Sequence, residues 1–134
     1  MNRILVLAES GVSVYNYLFA LEFPSCGGLT AYHCSEVPFI LHNTHKIPIS
    51  QISGTSDYVE TQFCGAACAF AASGTPNGPN LPEWEPYTTV RRSTMIYSAH
   101  SECMVENDRQ FTITHNRLFN RPGRKPCQPE GLLR

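Results

Sequence analysis

The sequence predicts an α/β fold, and three observations predict it. Residues 12–23 are rich in β-branched and aromatic residues, which is typical of a largely buried strand. Residues 56–73 show a long helical pattern with one apolar stripe. Residues 93–98 and 102–107 are typical of a pair of short strands. The 134 residues are enough for one domain with a buried core.

The elements on either side of the first strand are defined by helix and turn signals. Residues 1–10 have the pattern of a helix end, and Gly11 is the expected stop signal. Pro24 ends the strand that follows, and the Gly pair at 27–28 opens a loop. Residues 35–42 are predicted to form a short helix with a proline in its first turn, where the missing N–H costs nothing. A loop is then expected up to Gly54.

The helix at 56–73 is the clearest element in the sequence. Asp57 and Glu60 resemble a capping box at its start, and Gly74 followed by Pro76 predicts its end. Its apolar positions recur at i, i+4, i+7 and i+11, which predicts one buried face. These positions are Val59, Phe63, Ala66 and Phe70.

Composition and charge exclude several classes of protein. The formal net charge is −1 and no basic stripe is present, so we expect no nucleic-acid partner. No apolar run approaches the roughly 18 residues of a membrane span, and no stretch fits a secretory signal peptide. We therefore expect no membrane partner and a cytoplasmic location. No cofactor motif is visible in the chain.

The six cysteines are expected to be reduced, because no secretory context supports a disulfide framework. Two of them stand four residues apart on the predicted helix, where Cβ atoms lie roughly 5–6 Å apart. A disulfide needs Cβ atoms near 3.8 Å, so we expect small buried side chains instead of a bridge. The cysteines are Cys26, Cys34, Cys64, Cys68, Cys103 and Cys127.

Three motifs carry a resemblance to a known family. They are HCSEVPF at 33–39, FAASGTPN at 70–77 and LPEW at 81–84. In this order and at this spacing they resemble the C-terminal part of the type-B carboxylesterases, which are related to para-nitrobenzyl esterases and cholinesterases. The resemblance covers about residues 10–108.

The resemblance implies an α/β-hydrolase fold. Residues 1–108 would be the C-terminal part of such a domain, with one long core strand, helices and a short terminal strand pair. Residues 109–134 are rich in Pro, Gly and Arg and are expected to be a disordered or divergent tail.

The resemblance also implies that His33 is the triad histidine. An imidazole can take a proton from a serine hydroxyl and return it to the leaving alcohol. Glu36 lies three residues further on, but the triad acid of this family lies well upstream of the histidine. Glu36 is therefore expected to be structural. Tyr32 and Phe39 are expected near the site because they flank His33 in the sequence.

The sequence contains no Gly-x-Ser-x-Gly motif. In the family, the nucleophile, the triad acid and the Gly-rich oxyanion segment all precede this part of the chain. We therefore expect a C-terminal fragment of a carboxylesterase, from a truncated or split gene, that supplies the triad histidine and is inactive alone. Its expected partners are a small ester substrate in the full-length family and a complementary N-terminal fragment. A strand edge left exposed is expected to favour self-association.

Two other functions remain open on the sequence. One is a non-catalytic interaction module derived from the hydrolase fold, since lost catalysis leaves a similar sequence. The other is a zinc site, although the ligand spacing fits none of the standard zinc signatures. Its candidate ligands are His42, His45, Cys64 and Cys68.

Overall fold

The computed structural model describes residues 3–105, which form three helices and one three-stranded sheet. The tail predicted for 109–134 lies outside the described residues. The helices are α1 (Arg3–Glu9), α2 (Val37–Ile40) and α3 (Ser56–Ser73), and the strands are β1 (Asn16–Phe19), β2 (Thr94–Tyr97) and β3 (Glu102–Met104). Short 3-10 turns occupy Ser25–Gly27, Thr44–Lys46 and Pro48–Ser50.

The sheet is mixed and has the order β1-β2-β3. β1 runs parallel to β2, with Asn16 opposite Thr94 and Phe19 opposite Tyr97. β3 runs antiparallel to β2 on its other side. All four side chains of β2 are buried, as expected for a middle strand covered on both faces.

The prediction of one long core strand over 12–23 is wrong in its length and its place. β1 covers only 16–19, and in the described part of the chain it is an edge strand. A strand extends only as far as its partner, and β2 is itself four residues long. Before β1, the carbonyl of Val14 accepts a hydrogen bond from Tyr87 N–H at 2.7 Å. After it, Phe23 forms an isolated bridge with Leu29.

Helix α3 buries three of the four predicted residues, and Phe63 packs on the sheet. Val59, Phe63 and Ala66 are buried, and the Phe63 ring stacks on Tyr97 with centroids 4.2 Å apart. Phe70 is 45% exposed, so the predicted stripe is wrong at its last position. It lies in the last turn of α3, where its ring meets Tyr15 edge-on at 5.8 Å and is otherwise open to solvent.

The predicted start of α3 is correct, but the predicted capping box is wrong. The residue that precedes the helix is Thr55, and its side chain makes no cap hydrogen bond. Glu60 is therefore the fifth helical residue, too far along for a capping box, which uses the third. At the other end, Gly74 has φ +76° and its N–H donates to the Phe70 carbonyl at 2.8 Å, as predicted.

The remaining predicted elements are confirmed with shorter bounds. α1 ends before Gly11, whose φ is +81°. α2 covers 37–40 of the predicted 35–42, because residues 33–36 form a turn and His42 takes a left-handed φ of +52°. β2 and β3 lie within their predicted ranges of 93–98 and 102–107. Positions 106 and 107 of the second range lie outside the described residues. Between residues 3 and 105, no helix has the length and apolar character that a membrane crossing requires.

Candidate active-site histidine and its surroundings

His33 lies in a tight turn that joins the segment after Leu29 to α2. The turn is closed by two hydrogen bonds between Tyr32 and Ser35. The Ser35 N–H donates to the Tyr32 carbonyl at 3.0 Å, and the Tyr32 N–H donates to Ser35 Oγ at 3.1 Å. Cys34, directly after His33, has a left-handed φ of +63°, which turns the chain back towards the core.

The flanks of this turn are anchored in the core. Ser35 is 2% exposed, and the Tyr32 ring lies 5.5 Å from the buried ring of Phe23. One turn further on, Phe39 is fully buried, with its ring 5.1 Å from Phe19. Phe39 is thus part of the core, whereas Tyr32 remains partly exposed beside His33. The backbone that carries His33 is therefore held in place by packing on both sides.

The imidazole of His33 is exposed, and it makes no hydrogen bond or ion pair with any residue in the range 3–105. Glu36 precedes the first residue of α2, and its carboxylate makes no cap hydrogen bond there. Burial, and after it the negative charge of Glu36, raise the pKa of the Tyr17 hydroxyl on β1. Within residues 3–105, therefore, no acid and no nucleophile is hydrogen-bonded to the His33 imidazole.

The other two motifs form one structural unit away from His33. Asn77 of the second motif donates through Nδ2 to the Trp84 carbonyl at 3.0 Å, and its Oδ1 accepts from Trp84 N–H at 2.7 Å. The Trp84 ring is buried, edge-on to Tyr97. A side chain at Gly65 would lie 3.0 Å from Leu81 of the third motif, so the glycine lets this segment approach α3 closely. The contacts of these two motifs are therefore structural.

The comparison with solved structures identifies the family. An esterase from Clostridium hathewayi, which can hydrolyse aliphatic aromatic polyesters, is 38% identical over 85% of this chain, with a TM-score of 0.78. The Geobacillus stearothermophilus carboxylesterase EST55 is 32% identical over 78% of the chain, with a TM-score of 0.65. The chain belongs to the type-B carboxylesterases.

The carboxylesterase chain corresponds to the C-terminal part of the family fold. It spans 23% of the Clostridium hathewayi esterase and 22% of EST55. A thermophilic para-nitrobenzyl esterase, 20% identical, shares the fold with a TM-score of 0.65. No family model and no curated protein matches the chain.

Two hollows lie elsewhere on this carboxylesterase segment, and His33 lines neither. One is apolar, about 190 Å³ in volume, and is bordered by Tyr15, Phe70 and Trp84 among others. The other is polar, about 690 Å³, and lies at the start of α3.

The polar hollow contains a residue whose role the sequence analysis missed. Glu60 is 6% exposed, its Oε1 accepts a hydrogen bond from Thr44 N–H at 2.9 Å, and its Oε2 lies 3.6 Å from His42 Nδ1. The signal in the sequence was an acidic residue next to Val59, the first buried position of the predicted stripe. That placement indicates a carboxylate on the flank of the buried face, and not a cap.

The structure does not gather the four candidate zinc ligands. Among residues 3–105, no group of three or more His, Cys, Asp or Glu side chains is placed to hold a metal ion. His42 instead lies 3.6 Å from Glu60, measured from Nδ1 to Oε2. Among the described cysteines, Cys34, Cys64, Cys68 and Cys103 are in no disulfide. The geometry therefore gives the zinc hypothesis no support.

Proposed function

We propose that His33 is the triad histidine of a serine carboxylesterase, and that the serine and the triad acid come from polypeptide outside these 134 residues. The observation that carries the proposal is an exposed imidazole on an anchored turn, in a segment 38% identical to an esterase. An active triad needs a nucleophile, a base and an acid in hydrogen-bond contact. No serine or carboxylate between residues 3 and 105 is bonded to His33, and its exposed imidazole is accessible to side chains from another segment.

The proposed role of His33 follows from general triad chemistry. The partner acid would bind one ring nitrogen and fix the tautomer, so that the other nitrogen accepts the serine proton as Oγ attacks the ester carbonyl. The imidazolium would then protonate the leaving alcohol. In the second half of the cycle, the imidazole would activate water against the acyl-enzyme. The substrate class is a carboxylic ester, and the polyesterase activity of the Clostridium hathewayi neighbour extends it to polyester chains.

A chimera tests the proposal. Residues 3–105 would replace the matching segment of the Clostridium hathewayi esterase, and hydrolysis of p-nitrophenyl acetate would be measured. We expect His33→Gln to lower kcat by about 10³-fold or more, because removing one triad member removes most of the cooperative catalysis. His100→Gln, at another exposed histidine, is the matched control and should leave kcat unchanged.

The outcomes of these assays distinguish a catalytic His33 from the alternatives. Equal activity in the His33→Gln and unsubstituted chimeras would overturn the assignment of His33. A chimera with a native circular dichroism spectrum and no activity would favour the non-catalytic module. The 134-residue chain alone should hydrolyse the ester at a rate little above that of free imidazole. Saturable turnover of that chain, abolished by His33→Gln, would mean that the nucleophile lies within these residues.

A further inference from the structure

The segment between α3 and the LPEW motif contains the one Asn-Gly pair of the sequence, Asn77-Gly78. The side-chain amide carbon of an asparagine can reach the backbone nitrogen of the next residue, and a glycine there has no Cβ to hinder the approach. Asn77 is exposed, so water has access to it. Nothing in the proposed ester chemistry uses this pair.

The side-chain amide of Asn77 and the backbone of Trp84 form a clasp of two hydrogen bonds. The Asn77 Oδ1 accepts from the Trp84 N–H at 2.7 Å, and its Nδ2 donates to the Trp84 carbonyl at 3.0 Å. Nδ2 also donates to Thr75 Oγ1 at 3.2 Å. Both N–H bonds of the amide are therefore used, and its two polar atoms are held on the same partner.

We propose that Asn77 is a deamidation site at which the clasp to Trp84 controls the rate of conversion. The amide carbon is planar in the clasp and must become tetrahedral when the Gly78 nitrogen attacks it. The two-bond contact with Trp84 requires the planar amide, so it must open before the attack. The folded chain thus protects Asn77, and conversion proceeds from the open state.

The reaction exchanges ammonia for water and changes no oxidation state. The Gly78 nitrogen loses its proton and bonds to the Asn77 side-chain carbon, the bond from that carbon to Nδ2 breaks, and ammonia leaves with that proton. The product is a five-membered succinimide. Water then opens one of the two ring C–N bonds, which gives either aspartate or isoaspartate at position 77.

Neither product can restore the clasp. An aspartate has no N–H to donate, so it places an oxygen against the Trp84 carbonyl where a hydrogen bond stood. An isoaspartate adds one carbon to the main chain and shortens the side chain by one carbon. The Trp84 ring is 5% exposed and lies edge-on to Tyr15 and Tyr97. Conversion therefore loosens the segment that carries a core tryptophan.

Peptide mapping by mass spectrometry of the full 134-residue chain measures the conversion. The chain would be kept in buffer or in guanidinium chloride at the same pH and temperature. We expect Asn77 to convert about 10-fold or more slowly in buffer, because two hydrogen bonds reduce the open population by that order. In denaturant, Gly78→Ala should slow the conversion, and Asn80, which precedes a leucine, should convert far more slowly than Asn77.

An unfolding experiment on two matched variants tests the loss of the clasp separately. Asn77→Asp reproduces one product and should lower the urea midpoint of unfolding, whereas Asn80→Asp makes the same charge change at an exposed position and should not. Equal rates in buffer and denaturant, no conversion in denaturant, or equal midpoints for the two variants would each overturn the proposal. These readouts are mass and unfolding, so they do not depend on the role of His33.

Discussion

The carboxylate of Glu60 accepts a hydrogen bond from the backbone N–H of Thr44 at 2.9 Å, and both residues are buried. This contact joins α3 to the segment that follows α2. Since α2 directly follows the His33 turn, the contact fixes one side of the candidate active-site segment to the longest helix. A buried N–H without an acceptor would cost the full loss of its hydration, so Glu60 has a structural reason to be where it is.

We expect Glu60→Ala to lower the free energy of unfolding by about 1–3 kcal/mol, because Thr44 N–H loses its acceptor. Glu60→Gln keeps a carbonyl oxygen at the same place and should cost less. The measurement is urea unfolding followed by circular dichroism, and Thr61→Ala is the control at an exposed position of the same helix. Equal losses for Glu60→Ala and Thr61→Ala would show that the contact contributes nothing measurable.

Two phenylalanines on α3 should differ strongly in their contribution to stability. Phe63 is buried and packs on Tyr97 and Tyr17, with centroids 4.2 Å and 4.9 Å away, whereas Phe70 is exposed. Phe63→Ala should cost about 3–5 kcal/mol, the range for a buried phenylalanine. Phe70→Ala removes the same atoms from the surface and should cost well under half of that. Similar losses at the two positions would contradict the packing described above.

Stability should fall in alkaline solution because of Tyr97. Burial raises the pKa of this hydroxyl well above its ordinary value, and the charge of Tyr17 adds to the effect. Above pH about 10 the unfolded chain releases this proton while the folded chain holds it, so the folded state loses stability as the pH rises further. Unfolding midpoints measured between pH 9 and 11 (roughly one unit either side of the ordinary value) should decline, and Tyr97→Phe should flatten the decline. If Tyr97→Phe leaves the slope of the midpoint against pH unchanged, other titratable groups cause the decline.

The free edge of β1 should make the chain self-associate. β1 pairs with β2 on one side only in the described part of the chain, and Ala20 N–H, just after β1, points to β2. By alternation, the N–H of Leu18 also points to β2 and that of Tyr17 points outwards. An exposed edge is a template for pairing with another copy.

Sedimentation velocity at increasing concentration measures this association. Tyr17→Pro removes an outward N–H and should shift the distribution towards monomer, because proline is tolerated on an edge. Leu18→Pro removes an inward N–H and should unfold the chain, which circular dichroism would detect. A monodisperse monomer with a cooperative melt in the unsubstituted chain would refute the role of the edge.

The sequence determined the elements whose signals are local. The periodic stripe of α3 and the pair Gly74-Pro76 fixed that helix to the residue, because helical spacing and a left-handed glycine act over a few neighbours. The three motifs were sufficient to indicate the carboxylesterase family and to single out His33, since a family motif is read directly from residue order.

Only the tertiary structure decided where strands begin and end and what each polar side chain does. β1 covers four residues and not the predicted twelve, because strand length depends on a partner strand 78 residues away, which no local pattern reports. Glu60 changed from a cap to a buried acceptor because Thr44 N–H reaches it across the fold. Phe70 became exposed because helical periodicity defines a face but not how far the sheet beneath it extends. Pairing and burial are properties of contacts between distant segments, so they become definite only once the chain has folded.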